Sequence, residues 1–186
     1  MLMKLVKKIS KSIGIIKRIS YLIPSYILKN LYFTLIYPYL TYCNLIWTST
    51  YDTHLIGLVM LQKKAVRIIT KSPSLCHTKP LFAQYGLLNI KQIRFLQLGT
   101  FMYQYSNNIL PPSFTSYFPP VVYPRPTRGN RDYLTSYAKT NVLKFSIKFQ
   151  GPVVWNNLPK SIRLATSLPQ FKRMAHAHSL SFTIPC

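Results

Sequence analysis

In 186 residues the chain sets 24 lysines and arginines against two carboxylates, Asp52 and Asp132, for a formal net charge of +22. Metal-dependent phosphoryl transfer and nuclease chemistry need several carboxylates converging on divalent ions, which two separated aspartates and no glutamate do not supply. A charge this large repels itself in a compact domain unless a polyanion neutralises it, so the expected partner is a nucleic-acid backbone or an acidic membrane sheet.

Residues 1–19 place Leu2, Leu5, Val6, Ile9, Ile13 and Ile16 in one helical sector and Lys4, Lys7, Lys8, Lys11 and Arg18 in the opposite one. This predicts an amphipathic helix with a cationic face. The acid-free composition of residues 1–23 also matches an organelle transit peptide, although no small-residue cleavage pattern accompanies it. Pro24 ends the first helix, and a second run is predicted over 26–47, kinked at Pro38 by the missing backbone donor and forming a hairpin with the first. The uncharged stretch 30–51 is long enough to cross a bilayer. Its Asn30, Thr34, Pro38, Thr41, Asn44 and Thr48 and its five tyrosines fit a buried helix better.

A third helix is predicted from Thr53, a candidate N-cap, to about Lys71 before Pro73. Leu55, Leu58, Leu61, Ala65, Ile68 and Ile69 form its core face, and Lys63, Lys64, Arg67 and Lys71 its outer face. Residues 78–85 read as a short helix with Pro80 in its first turn and Gly86 at its end. Asn89 then caps a long helix over 90–105, apolar almost all round and therefore buried.

Pro111, Pro112, Pro119, Pro120, Pro124 and Pro126 mark a linker over 111–130, whose Arg125 and Arg128, with Arg131 just beyond, surround Gly129 in a loop able to clamp phosphates. Leu143, Phe145, Ile147 and Phe149 alternate with Lys144, Ser146, Lys148 and Gln150, the period of a short strand, for which residues 133–137 are a candidate partner. A last amphipathic helix over 167–180 carries Lys172 and Arg173. The chain as a whole is expected to be mainly α: a helical bundle over 1–110, the linker, and a small α+β region over 131–186.

Catalytic and metal motifs are weak. Cys76 and His77 are adjacent, so on an extended chain they point apart, and no acid orients them. His176, His178 and Cys186 offer three zinc ligands at non-standard spacing. Three cysteines without a Cys-x-x-Cys pair suit a reduced intracellular chain without a structural disulfide. Abundant aromatics, 14 Tyr, 10 Phe and 2 Trp, set the chain apart from disordered basic tails. What remains is cationic helix faces interleaved with aromatics, suited to backbone neutralisation with limited stacking and without groove-reading modules.

Two stretches add a resemblance. Ile36-Tyr37-Pro38-Tyr39-Leu40-Thr41-Tyr42-Cys43-Asn44-Leu45-Ile46-Trp47, followed by Leu61-Gln62-Lys63-Lys64-Ala65-Val66-Arg67-Ile68-Ile69, resembles the region just after the polymerase palm of jockey-like non-LTR (LINE-type) retrotransposon reverse transcriptases. Thr127-Arg128 and then Phe149-Gln150-Gly151-Pro152-Val153-Val154-Trp155-Asn156-Asn157-Leu158-Pro159 is similar to the closing pattern of the same proteins, Phe-x-Gly-x-x-x-Trp-Asn-x-Leu-Pro. His77-Thr78, Pro80-Leu81-Phe82 and Leu110-Pro111-Pro112 fall between them in order.

The resemblance implies that residues 1–110 are thumb-like helices that close over template and primer. The family's Phe/Tyr-Ala-Asp-Asp box does not occur in this chain, so no catalytic residue carries over, and the chain is expected to be a non-enzymatic C-terminal fragment without a cofactor. Expected partners are RNA or DNA, bound without sequence preference, and an upstream palm in a full-length protein; by resemblance the setting is nuclear or cytoplasmic. The alternative is a membrane protein using the basic N-terminal helix and the 30–51 segment. On either reading Trp47 and Trp155 are packing anchors rather than stacking platforms.

Overall fold

A computed structural model describes residues 2–120, 132–135 and 137–181 of the chain. Among these residues the fold is mainly helical, with eleven α-helices and no strand. The chain divides into two compact units, Met1–Ile93 and Arg94–Cys186.

In the first unit α1 (Leu2–Ile19) buries Ile9, Ile13 and Ile16 and packs on α2 (Ser25–Leu35) and α5 (Asp52–Ile69). Each buried isoleucine contributes about 1.5–3 kcal/mol. The single kinked helix expected over 26–47 is instead broken twice, into α2, α3 (Tyr37–Thr41) and α4 (Asn44–Trp47). Pro38 sits in the first turn of α3, where its missing N–H is harmless. The second break has no glycine or proline: Tyr42 is extended and Cys43 is left-handed at φ 50°. Side chains beyond the break recover carbonyls freed by it. Asn44 Nδ2 donates to Leu40 O and Trp47 Nε1 to Tyr42 O, each at 2.9 Å.

Helix α5 starts at Asp52 behind Tyr51, so Thr53 is not its cap. It buries Leu55, Leu58, Gln62, Ala65, Val66 and Ile69, while Leu61 and Ile68 are half-buried. Gln62 is the polar pin of this core. Its Nε2 donates to Tyr32 Oη and Leu88 O, and its Oε1 accepts the Ile90 N–H. Helix α6 (Thr78–Gln84) packs on α5 and ends at Gly86, left-handed at φ 62°. Asn89 and Gln92 exchange side-chain-to-backbone bonds at 2.9 Å, a reciprocal capping box opening α7 (Ile90–Ser106). No residue from 90 to 105 is exposed, as its apolar composition predicts.

The second unit is built on aromatic packing among Tyr103, Phe118, Trp155 and Phe171. Tyr103 stacks on Phe171 at 4.6 Å and Phe118 meets Tyr105 edge-on at 4.9 Å. Phe118 is 1% exposed and its backbone bonds the Tyr105 hydroxyl, so the front of the expected linker is core rather than spacer. The strand predicted over 143–150 is helical: α8 (Asn141–Phe145) and α9 (Ile147–Asn157) meet at an extended Ser146. Its candidate partner is reduced to one bridge, Pro120 to Tyr133, so the α+β part of the expected fold is corrected to α. Gly151-Pro152, a pair of residue types that favours turns, lies inside α9. A Cβ on Gly151 would meet Met102 Sδ at 2.8 Å and the Phe118 ring at 3.3 Å, so close approach explains the glycine. Pro159 then leads α10 (Lys160–Arg163), which packs on α11 (Leu168–Ser181) close to the predicted last helix.

Candidate nucleic-acid interface

Lys4, Lys7, Lys8, Lys11 and Arg18 are all exposed on α1. At 3.6 residues per turn they fall within an arc of about 100°, opposite Ile9, Ile13 and Ile16, and extend about 21 Å along the axis. Lys17, exposed one residue before Arg18, lies off this arc. The Lys8 ammonium stands over the Tyr39 ring, 5.6 Å from its centroid.

The cations of α5 are less uniform. Lys64 and Lys71 are exposed and Lys63 is half-buried. Arg67 Nε donates to Cys76 O at 3.0 Å, so this guanidinium also ties down the segment after the helix. Lys71 lies just beyond α5 with φ 53°, and the bonds Ser72 N–H to Arg67 O and Lys71 N–H to Ile68 O close a Schellman motif around it. Arg125, Arg128 and Arg131 lie outside the described residues, as does Cys186.

Both aspartates have partners outside the α1 and α5 cation sets. Asp52 Oδ2 pairs with Lys91 at 2.7 Å, and Asp132 Oδ2 accepts from Arg163 and from Trp155 Nε1. Among the described residues neither aspartate pairs with a cation of the α1 face, and Asp52, itself the first residue of α5, pairs with Lys91 rather than with Lys63, Lys64, Arg67 or Lys71.

The weaker motifs have structural surroundings. His178 packs beside Phe95 at 6.2 Å, and among the described residues no three His, Cys, Asp or Glu side chains gather. Cys76 is half-buried, and its Sγ is 3.6 Å from the His77 carbonyl rather than the imidazole. Trp47 and Trp155 are 5% and 2% exposed, which makes both packing residues. A cleft of about 280 Å³ in the second unit is lined by Tyr105, Asn108, Leu110, Pro111, Pro112, Phe114 and Thr115, and the Tyr105 hydroxyl in it is held by the Thr115 and Phe118 carbonyls. Among the described residues no helix is long and apolar enough to cross a membrane.

Composition did not single out the outward face of α2. Tyr26, Lys29, Asn30 and Phe33 recur there at helical spacing, a pattern present in the sequence but indistinguishable from a core stripe until burial is known.

Fold and surface together define a mainly helical, strongly cationic two-unit chain whose two aspartates pair with Lys91 and Arg163. Comparison with protein-family models, with curated proteins and with solved structures finds no match.

Proposed function

We propose that the chain binds RNA or DNA through its phosphate backbone without sequence preference, as a non-catalytic, thumb-like part of a retrotransposon-type reverse transcriptase. The observation that carries the reading is the α1 face: five exposed cations along one arc, with both carboxylates of the chain engaged elsewhere. A helix face of this kind gains by releasing counterions from a polyanion. The opposite, apolar face of α1 is 1–2% exposed at Ile9, Ile13 and Ile16. It is committed to the core, which favours a nucleic-acid partner over insertion of this helix into lipid.

The test is the salt dependence of duplex binding by the full chain and by a Lys4→Gln, Lys7→Gln, Lys8→Gln, Lys11→Gln variant. If all four lysines contact phosphate, the log–log slope becomes shallower by about 3–4 while every sequence is weakened alike. An unchanged slope removes α1 from the interface. Salt-independent binding by the parent chain overturns the reading.

A further inference from the structure

Tyr26, Lys29, Asn30 and Phe33 form one outward stripe on α2, with Tyr26 67% and Phe33 38% exposed. Phe33 meets the Tyr37 ring edge-on at 5.2 Å, which carries the stripe onto α3. Tyr39, on the same short helix, lies under the Lys8 ammonium, so α3 links the helix that bears the stripe to the cationic face of α1 within one unit. Phosphate neutralisation alone needs no exposed rings, and the Tyr26 ring, two-thirds exposed, gains little burial energy from the fold.

We propose that this stripe is a base-stacking platform and that the first unit therefore prefers single-stranded to duplex nucleic acid; the inference rests on the polyanion reading above. A duplex hides its base faces within its own stack, whereas a single strand presents them to aromatic rings irrespective of sequence. Tyr26 and Phe33 are two turns apart, about 10 Å along the axis, so they take separate bases. The exposed Asn30 amide lies between them with donors and an acceptor for base edges, and Lys29 and Lys8 supply charge for the connecting phosphates.

The experiment measures binding of the full chain to a labelled single strand of mixed sequence and to the duplex formed from it, at one salt concentration and across a salt series. Tyr26→Ala with Phe33→Ala is expected to weaken single-strand binding by about tenfold or more, leave duplex binding within about twofold, and keep the salt slope. Tyr26→Phe with Phe33→Tyr is expected to retain single-strand binding, because the ring faces persist. If the double alanine variant misfolds, Tyr26→Ala alone carries the test, that side chain being the more exposed of the two. Unchanged single-strand affinity, or equal losses on both forms, overturns the platform while the polyanion reading stands. Binding by the parent chain that shows no salt dependence on either form overturns the reading and the platform with it.

Discussion

Trp155 Nε1 donates to Asp132 Oδ2 at 2.9 Å, and the same oxygen receives the Arg163 guanidinium. Asn156 completes the attachment: its Oδ1 accepts the N–H groups of Asp132 and Tyr133, and its Nδ2 donates to the Tyr133 carbonyl at 2.9 Å. The run from Phe149 to Pro159 thus acts as a packing cassette. Gly151 admits Met102 and Phe118, Trp155 and Asn156 hold the chain at 132–133, Leu158 is buried, and Pro159 leads the next helix.

Asp132→Asn retains an acceptor for the indole but removes the charge facing Arg163, whose side chain is 4% exposed. Leaving a buried guanidinium without its carboxylate is expected to cost about 1–3 kcal/mol, the half-exposed aspartate keeping the loss below that of a fully buried pair. Arg163→Met added to it is expected to restore part of the loss, measured as a double-mutant cycle in urea. Strictly additive effects would show that the pair contributes no coupling.

Gly151→Ala places a methyl against the Phe118 ring and Met102 Sδ. Helix propensity gains about 1 kcal/mol from the change, and overpacking costs about 1–3 kcal/mol, so the balance is a net destabilisation of up to about 2 kcal/mol. Met102→Ala opens room at the same point and is expected to make the second substitution nearly neutral. A Gly151→Ala protein more stable than its parent in urea unfolding would refute the close-packing account.

Long periodic helices were legible in the sequence because their evidence is local: α1 with its two faces, α6 with its Gly86 end, and α7 with its Asn89 cap. The strand expected over 143–150 failed for a local reason too. One extended residue, Ser146, separates two helices and shifts their phase, so a broken period of 3.6 mimics a period of two. Gly151-Pro152 reads as a turn unless the approach of Met102, distant in sequence, is known. The break at Cys43 carries no glycine or proline and rests on bonds from Asn44 and Trp47. At the candidate site the cationic faces were legible because charge needs no tertiary context. The α2 stripe was not, because packing alone decides whether an aromatic is core or surface.

Tyr32 is fully buried, and burial pushes its phenol above the ordinary tyrosine value. Burial acts in the same direction on Tyr37 and Tyr133. A phenol raised in the folded state keeps its proton where the unfolded chain loses it, so the folded state binds more protons and stability falls as pH rises through about 10. Each such tyrosine contributes a slope of up to about −1.4 kcal/mol per pH unit above that point. Tyr32→Phe is expected to be less stable at neutral pH through loss of the Gln62 bond, yet to decline less steeply between about pH 9 and pH 11. Parallel declines in urea midpoint would exclude Tyr32 as a source of the alkaline loss.

Lys71 joins the fold to the proposed interface. Three helices end in the same double-bonded motif, with Lys71, Gly86 and Asn108 at the left-handed position, at φ 53°, 62° and 55°. Glycine meets no Cβ clash there and asparagine tolerates the conformation, whereas lysine bears a steric cost of about 1 kcal/mol. Lys71→Gly is therefore expected to stabilise the chain by up to about 0.5 kcal/mol, after glycine's greater freedom in the unfolded state is allowed for. If the exposed ammonium contacts phosphate, the same substitution makes the duplex salt slope shallower by about 1. Higher stability with a reduced slope would identify a lysine held in an unfavourable backbone state while serving the binding face. Higher stability with an unchanged slope would remove Lys71 from the interface, and lower stability would show that contacts of its side chain outweigh the backbone strain.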